Sequence, residues 1–221
     1  MMENEVIRQP VGILGGTFDP IHNGHLRMGI EVAERLNLND VRLMPCHIPP
    51  HKASPSVSSQ QRADMVALAA DTFPAFRSEL IELTADTPSY SVKTLRKLRA
   101  QADIGKDRPL IFIMGMDSLL SLKSWYEWEN LFELCHLAVC GRPGSHPTNQ
   151  DDIHDVLQQH ETQNINDLLT LPCGKIWFVE NNLLEISSTQ IRDNIRQNRS
   201  NRFLIPENVI EFIKTHDLYR D

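Results

Sequence analysis

Short apolar runs alternate with amphipathic segments along most of the chain. Residues 11–14 form an apolar run that ends at Gly15 and Gly16, and apolar residues recur at helical spacing from Gly24 onward. Further strand-like runs lie at residues 41–44, 76–83, 110–114, 136–140 and 176–179, and further helical patterns lie at residues 60–71 and 91–101. Strands that alternate with helices form parallel sheets covered on both faces, so we predict an α/β fold with a doubly wound, mostly parallel sheet.

Capping and turn residues mark the ends of several of these elements. Ser58 and Gln61 have capping-box spacing at the start of the second helix, and Pro206 suits the first position of a final amphipathic helix. The polar residues 151–163 predict a surface helix. With 221 residues, the chain fits a single Rossmann-like domain, residues 1–221, that ends in a small C-terminal helical cover at about 188–221.

Composition and charge narrow the class of function. An apolar fraction of 41% and a charged fraction of 23% are typical of a globular protein. The formal net charge of −7 argues against a nucleic-acid partner, because binding to a duplex depends on Lys and Arg that neutralise phosphates. A nucleotide needs only a few cationic groups in one cleft, so a small anionic ligand is compatible with this charge.

The cysteines and the N-terminal residues bear on metals and location. Cys46, Cys135, Cys140 and Cys173 form no C-x-x-C pair, so we expect buried thiols and assign no residues as metal ligands. Residues 1–10 lack the apolar core of a secretory signal, and no apolar run approaches membrane-spanning length. We therefore expect a cytoplasmic protein without a membrane partner.

The segment between the first strand and the first helix is suited to phosphate. It reads GGTFDPIHNGH over residues 15–25. Glycines at the end of a parallel strand let the backbone approach a ligand, and the helix start that follows offers N–H groups to an anion. The spacing of His22 and His25 puts both imidazoles on one side. Solvated histidines in a tight turn would explain an H-x-x-H pair alone, but the full segment favours a nucleotide site.

A second segment suited to anions lies near the C-terminus. Residues 186–192 read ISSTQIR, so hydroxyl residues come just before a helix whose Ile191 and Ile195 face the core. Ser188 is placed to cap this helix, and Arg192 one turn later presents a fork of donors to phosphate. Serine-rich helix starts are also common without any ligand, so this segment gains its meaning from the first one.

Two further positions are suited to a second substrate. Residues 47–52 read HIPPHK, where paired prolines fix a loop and Lys52 reaches toward a phosphate, unless the loop is simply solvated. Asp117 follows a predicted strand, so it falls at the edge of the sheet where ligands bind.

Aromatic residues lie near the same edge. Tyr90 and Ser91 begin a predicted helix, and Trp125 and Tyr126 follow a predicted strand by a short distance. A flat aromatic surface stacks on a planar ring, and backbone N–H groups beside it can hold a carboxylate. A tryptophan is more often part of the core, so this interpretation depends on the rest of the site.

The GGTFDPIHNGH segment closely resembles the signature of nucleotidyltransferases that carry an H/T-x-G-H motif. The resemblance implies that two histidines contact the phosphates of ATP and stabilise the transition state at the α-phosphate. The ISSTQIR segment is similar to a motif of nicotinate and nicotinamide mononucleotide adenylyltransferases that binds the same phosphates from the opposite side. The catalytic residues are therefore predicted to be His22, His25 and Arg192. The predicted ATP site comprises Gly15, Gly16, Thr17, Phe18, His22, His25, Ser187, Ser188, Thr189 and Arg192.

The resemblance to the bacterial nicotinate mononucleotide enzymes extends nearly end to end, apart from residues 149–169, which match no motif. It implies that Tyr90 with the amide of Ser91, and Trp125 with the amide of Tyr126, hold the nicotinate group. Ser91 stands where the family usually has threonine, which leaves a backbone contact intact. The predicted acceptor site comprises Lys52, Tyr90, Ser91, Asp117, Trp125 and Tyr126.

The resemblance also implies the reaction. ATP and nicotinate mononucleotide would be the substrates, with Mg²⁺ bound to the ATP phosphates, and the product would be nicotinate adenine dinucleotide in NAD biosynthesis. Asp117 matches the G-x-D motif that contacts the ribose-bearing part of the substrates.

Other activities fit parts of the sequence. A phosphopantetheine adenylyltransferase would usually carry threonine in place of His22 and would lack the ISSTQIR string, and a polyol-phosphate cytidylyltransferase ranks after it. A nucleotide-binding regulator without turnover, or a synthetase-like fragment that binds RNA, are the alternatives from other classes. The intact histidines argue against the regulator, and the acidic charge argues against the RNA-binding fragment.

Overall fold

Strands and helices alternate along the chain in this computed structural model, which describes residues 9–48, 55–83, 88–142, 144, 146–148, 151–180 and 184–220. The strands are β1 (Val11–Gly16), β2 (Val41–Pro45), β3 (Phe76–Ser78), β4 (Leu110–Gly115), β5 (His136–Gly141) and β6 (Ile176–Glu180). The helices are α1 (Asn23–Leu36), α2 (Ser59–Ala70), α3 (Ser91–Ala100), α4 (Met116–Leu120), α5 (His154–His160), α6 (Asn166–Thr170), α7 (Ser188–Arg196) and α8 (Glu207–Thr215). In these described ranges, no helix is long and apolar enough to cross a membrane.

All six strands are parallel and form one sheet in the order β3-β2-β1-β4-β5-β6. The chain progresses outward from β1 to β3 on one side and then resumes at β4 on the other side of β1. The carboxyl ends of β1 and β4 therefore flank the point where the strand order reverses. Ligands of open α/β sheets bind at such a point, so the fold directs attention to Gly16 and Gly115 at these two strand ends.

Both faces of the sheet are buried. Leu14 of β1 and Ile113 of β4 pack into one apolar cluster with residues of α1, α2 and α8. Their neighbours Ile13 and Phe112 point the opposite way and pack into a second cluster with residues of α3. Burial of alternate residues on opposite faces explains why these strands are apolar throughout, and it confirms the predicted doubly wound α/β fold.

The C-terminal helices pack on the same face of the sheet as α1. Ile191 of α7 and Val209 and Ile213 of α8 are buried in the first cluster. This packing brings the ISSTQIR segment back to the beginning of the chain, although residues 17–22 and 184–192 are far apart in sequence. The extent of the domain and of its helical cover stays a prediction.

Two predicted element boundaries are wrong. The strand predicted at residues 76–83 ends at Ser78, because the chain turns at Leu80 to Leu83 and closes that turn with a backbone hydrogen bond of 3.0 Å. Pro206 is the N-cap of α8 rather than its first residue, since its ψ of 146° is extended. The surface helix predicted within residues 151–163 is present as α5, and a separate helix, α6, follows it.

The short helix α4 gives a direct test of burial. Leu119 is 0% exposed and its neighbour Leu120 is 46% exposed, so the same substitution removes core contacts at only one of them. We expect Leu119→Ala to lower the free energy of unfolding by about 2–5 kcal/mol, and Leu120→Ala to lower it by less than about 1 kcal/mol. Urea unfolding of both variants measures the difference, and equal losses would contradict this packing.

Candidate active site

Two histidines cap α1 reciprocally. His22 is the N-cap, and its Nδ1 accepts a hydrogen bond of 3.4 Å from the backbone N–H of His25. The Nδ1 of His25 accepts one of 3.3 Å from the backbone N–H of His22, and the two rings stack with centroids 3.6 Å apart. A Cβ on Gly24 would lie 3.0 Å from Nδ1 of His22, so glycine leaves room for this arrangement. The predicted placement of both imidazoles on one side is confirmed.

These caps define which ring nitrogen carries the proton. When Nδ1 of a neutral imidazole accepts a hydrogen bond, the proton lies on Nε2, which then acts as a donor. Burial lowers the pKa of His22 from 6.5 to about 4, so its ring is neutral near pH 7. The start of α1 therefore presents imidazole N–H donors.

A buried arginine supports the glycine turn, which is the loop between β1 and α1 that follows Gly15 and Gly16. Arg62 of α2 is 1% exposed, and its guanidinium donates to the carbonyl oxygens of Thr17 at 2.6 Å, Cys46 at 2.6 Å and His47 at 3.0 Å. Burial lowers its pKa, but an arginine stays charged at neutral pH. One side chain thus joins the loop after β1 to the loop after β2.

Asp19 connects the same turn to the C-terminal part of the chain. Its carboxylate accepts a hydrogen bond of 2.9 Å from the hydroxyl of Tyr219 and one of 3.0 Å from the backbone N–H of Ser56. Arg192 donates from Nη1 to the carbonyl oxygen of Asp19 at 2.7 Å, and this Nη1 lies 3.7 Å from the carboxylate. Asp19 is 7% exposed, so it links three separate segments inside the protein.

The start of α7 lies against the glycine turn. Ser187, not Ser188, is the N-cap of α7, and its side chain accepts a hydrogen bond of 3.1 Å from the backbone N–H of Gln190. The predicted cap at Ser188 is wrong, because its hydroxyl donates instead to the carbonyl oxygen of Pro20 at 2.9 Å. The two segments predicted to bind phosphate are therefore in direct contact.

The remaining predicted ATP residues differ in their exposure. Gly15, Gly16 and Thr17 end β1 and begin the loop, and all three are partly exposed. Phe18 is buried, and its ring meets the ring of His25 edge-on with centroids 5.0 Å apart. The side chain of Phe18 thus supports a histidine from inside the protein.

The predicted acceptor residues form an aromatic group at the same edge of the sheet. Tyr90 is the N-cap of α3 and Ser91 is its first residue. The rings of Tyr90 and Tyr126 lie with centroids 4.7 Å apart, and Trp125 packs its ring edge-on against Phe112 at 6.3 Å. The structure therefore brings four of the predicted acceptor residues together.

Two other predicted acceptor residues lie apart from this group. Asp117 is exposed at the start of α4, and a Cβ on Gly115 would lie 2.7 Å from its carboxylate oxygen. Asp117 therefore projects over the end of β4, beside β1 at the reversal of the strand order. Lys52 lies outside the described residues.

The sequence interpretation missed the residues that hold this site together. Asp19 lies inside the recognised segment but was not singled out, and Arg62 and Tyr219 were not considered. A signal for Arg62 exists, because it shares helical spacing with the buried Met65 and Val66 on a helix whose inner face is otherwise apolar. A charged residue at such a position indicates a buried polar network.

Comparison of sequences identifies relatives over nearly the full length. The model of the cytidylyltransferase-like family matches residues 13–194. A protein of Aeromonas hydrophila is 46% identical over 97% of this chain and 99% of its own length. A protein of Shewanella pealeana is also 46% identical, over 95% of each chain. Both carry the name probable nicotinate-nucleotide adenylyltransferase.

Solved structures share the fold at low sequence identity. The nicotinic acid mononucleotide adenylyltransferase of Plasmodium falciparum in complex with NaAD superposes with a TM-score of 0.68 at 17% identity. The same enzyme in complex with APC gives a TM-score of 0.67 at 16% identity. Each comparison covers 96% of this chain and 97% of the other.

The buried His22 makes stability depend on pH. The unfolded chain takes up a proton at this side chain near pH 6.5, but the folded chain does so only near pH 4. As the pH falls through this window the unfolded state binds more protons, so we expect His22 to lower the free energy of unfolding by up to about 1.4 kcal/mol per pH unit. Urea unfolding at several pH values in this window measures how the free energy of unfolding depends on pH. We expect a weaker dependence for His22→Asn than for the wild type, and an equal dependence would refute this role of His22.

The hydrogen bonds of Asp19 predict that its substitution lowers stability more than the same substitution of Asp217. Asp19→Asn places an amide N–H₂ against groups that already donate, so we expect a loss of about 2–3 kcal/mol in the free energy of unfolding. The control is Asp217→Asn, which removes an exposed ion pair of 2.7 Å with Arg220 and should change stability by less than about 0.5 kcal/mol. Similar losses at the two positions would contradict the role given to Asp19.

Proposed function

The chain belongs to the cytidylyltransferase-like family and is a nicotinate-nucleotide adenylyltransferase by its relatives, and from that premise we propose how its residues perform the transfer. The enzyme transfers the adenylyl group of ATP to nicotinate mononucleotide, which gives nicotinate adenine dinucleotide and pyrophosphate in NAD biosynthesis. The observation that carries the proposal is the contact between the two phosphate-binding segments, made through Asp19 and Ser188.

The reaction is an in-line displacement at phosphorus. A 5′-phosphate oxygen of the acceptor attacks the α-phosphorus of ATP, the bond from that phosphorus to the bridging oxygen breaks, and pyrophosphate leaves with the electron pair. Negative charge spreads over the transferring phosphate during this step. His22 and His25 lie at the start of α1, where their Nε2–H groups donate to these oxygens and stabilise the transition state.

The start of α7 holds the departing phosphates. The N–H of Gln190 is used by the Ser187 cap, but the N–H groups of Ser188 and Thr189 have no acceptor within the helix, so these two are available to an anion. Arg192 is partly exposed, and its contact with the carbonyl oxygen of Asp19 fixes the guanidinium while other N–H groups of its planar fork bind phosphate. Ser187 and Thr189 add hydroxyl groups to the same edge.

We expect Mg²⁺ to enter this site bound to the phosphates of ATP. Within the described ranges, no group of three or more His, Cys, Asp or Glu side chains is arranged to hold a metal ion. Mg²⁺ binds readily to phosphate and water oxygens and needs few protein ligands, so the donor set of this site fits an ion held by the ATP phosphates. When bound, the ion neutralises part of the phosphate charge.

The aromatic group at α3 holds the acceptor. The amide of Ser91 is at the first position of α3, where the helix dipole favours an anion such as the nicotinate carboxylate. The backbone N–H of Trp125 already donates to the carbonyl oxygen of Leu122 at 2.9 Å. The backbone N–H of Tyr126 is therefore the second donor to the nicotinate carboxylate, on the side opposite Ser91. Asp117 binds a ribose hydroxyl at the end of β4, and Lys52 assists on a phosphate.

We place this activity in the cytoplasm and assign it small-molecule partners only, ATP and nicotinate mononucleotide. Cys135, Cys140 and Cys173 are free cysteines, which is the usual state in a reducing compartment. The acidic net charge of −7 leaves nucleic acid outside the proposal.

Pyrophosphate release measures the proposed reaction and its acceptor together. Nicotinate mononucleotide, nicotinamide mononucleotide and phosphopantetheine are compared at equal concentration with ATP and magnesium. We expect the fastest release with nicotinate mononucleotide. Faster release with another acceptor would overturn the acceptor site but leave the transfer chemistry, and no release with any of them would overturn the reaction.

The two histidines should act on turnover rather than on ATP affinity. We expect His25→Ala to lower kcat by about 10²–10³-fold, with the KM for ATP changed by less than about threefold, because the lost donor acts in the transition state. His154→Ala, whose ring contacts Gln158 on the same helix α5, is the control and should retain full activity. Parallel losses in kcat and in affinity for ATP would instead identify His25 as a ground-state contact.

A further inference from the structure

A lysine lies over the aromatic pair of the acceptor site. The Nζ of Lys93 is 5.0 Å from the ring centroid of Tyr90 and 5.1 Å from that of Tyr126. Lys93 is the third residue of α3, so its charge is one turn or less from the amide of Ser91. No carboxylate in the described part of the chain forms an ion pair with it.

An acidic group beside this pair is already compensated. Glu127 follows Tyr126 in sequence, and its carboxylate forms an ion pair of 2.8 Å with Arg96. A hydrogen bond from the Tyr126 hydroxyl and the ion pair with Arg96 hold the pKa of Glu127 below its usual value. The uncompensated charge beside the two rings is therefore the positive charge of Lys93.

We propose that Lys93 is a specificity-determining residue that makes the acceptor site favour the acid form of the pyridine ring over the amide form. The inference rests on the function proposed above, since it concerns the nicotinate group placed at the amides of Ser91 and Tyr126, beside the paired rings of Tyr90 and Tyr126. A nicotinate carboxylate at the start of α3 is attracted by the lysine charge as well as by the helix dipole. A neutral carboxamide gains almost nothing from either.

The contact with the rings also places the charge. A cation over the faces of two tyrosines is held there by their quadrupoles, so the flexible lysine stem is restricted to the mouth of the site. The interaction with a carboxylate across this partly solvated mouth is screened by salt. The selectivity that depends on Lys93 should therefore weaken as ionic strength rises.

A merely structural role would behave differently. If Lys93 only ordered Tyr90 and Tyr126, its loss would lower the rates with both acceptors by the same factor. If its charge selects the acid form, the loss falls on nicotinate mononucleotide alone and appears in KM rather than in kcat. Lys93→Arg keeps the charge and the ring contact, whereas Lys93→Met keeps most of the length and removes the charge.

The experiment measures kcat and KM for nicotinate mononucleotide and for nicotinamide mononucleotide with saturating ATP and magnesium. The variants are Lys93→Met, Lys93→Arg and the control Lys97→Met, which removes an exposed lysine one turn further along α3. We expect Lys93→Met to lower kcat/KM for the acid about three- to tenfold, with the amide nearly unchanged, and Lys93→Arg to restore most of the preference.

Three outcomes overturn the inference. These are an equal loss with both acceptors, an unchanged preference in Lys93→Met, and an equal effect of Lys97→Met, which would indicate long-range charge rather than a local contact. Insensitivity of the wild-type preference to salt between about 0.02 and 0.5 M would also count against it. Failure of the wild-type enzyme to release pyrophosphate with either acceptor would overturn the proposed function itself, and the two failures are thus distinguishable.

Discussion

The carboxylate of Asp19 is the group on which the proposed active site depends. It is buried in the loop between β1 and α1, and it joins that loop to Tyr219 near the C-terminus and to the residues that precede α2. The backbone of the same residue receives Arg192 from α7. A charged group this deep is stable only when its hydrogen bonds are satisfied, so these segments keep one relative position.

Arg62 is the complementary constraint. Its charge is buried among carbonyl oxygens from the loops after β1 and β2, at the carboxyl ends of neighbouring strands. Carbonyl groups that would otherwise point into a partly dry interior receive donors, and the two loops cannot separate without exposing an unpaired guanidinium. The apolar clusters build the sheet and its helices, but these two ionic side chains set the shape of the edge that we propose as the nucleotide site.

Local sequence patterns predicted much of the fold but only part of the candidate site. Apolar runs located five of the six described strands within two residues, and the capping box at Ser58 and Gln61 is a local feature that the structure confirms. The third strand was predicted too long because apolar residues after Ser78 serve a turn rather than the sheet. The contacts of Asp19 span 173 residues to Arg192 and 200 to Tyr219, and no local pattern encodes contacts at that distance. For the same reason the sequence predicted Ser188 as the cap of α7, whereas its hydroxyl donates to the carbonyl oxygen of Pro20.

The most direct test of this account is a crystal structure of the enzyme with Mg²⁺ and a non-hydrolysable analogue of ATP. The account predicts that the triphosphate lies between the start of α1 and the start of α7, with Nε2 of His22 or His25 and the guanidinium of Arg192 both within hydrogen-bonding distance of phosphate oxygens. A triphosphate that contacts only one of these two helix starts would contradict the claim that Asp19 joins them into a single site.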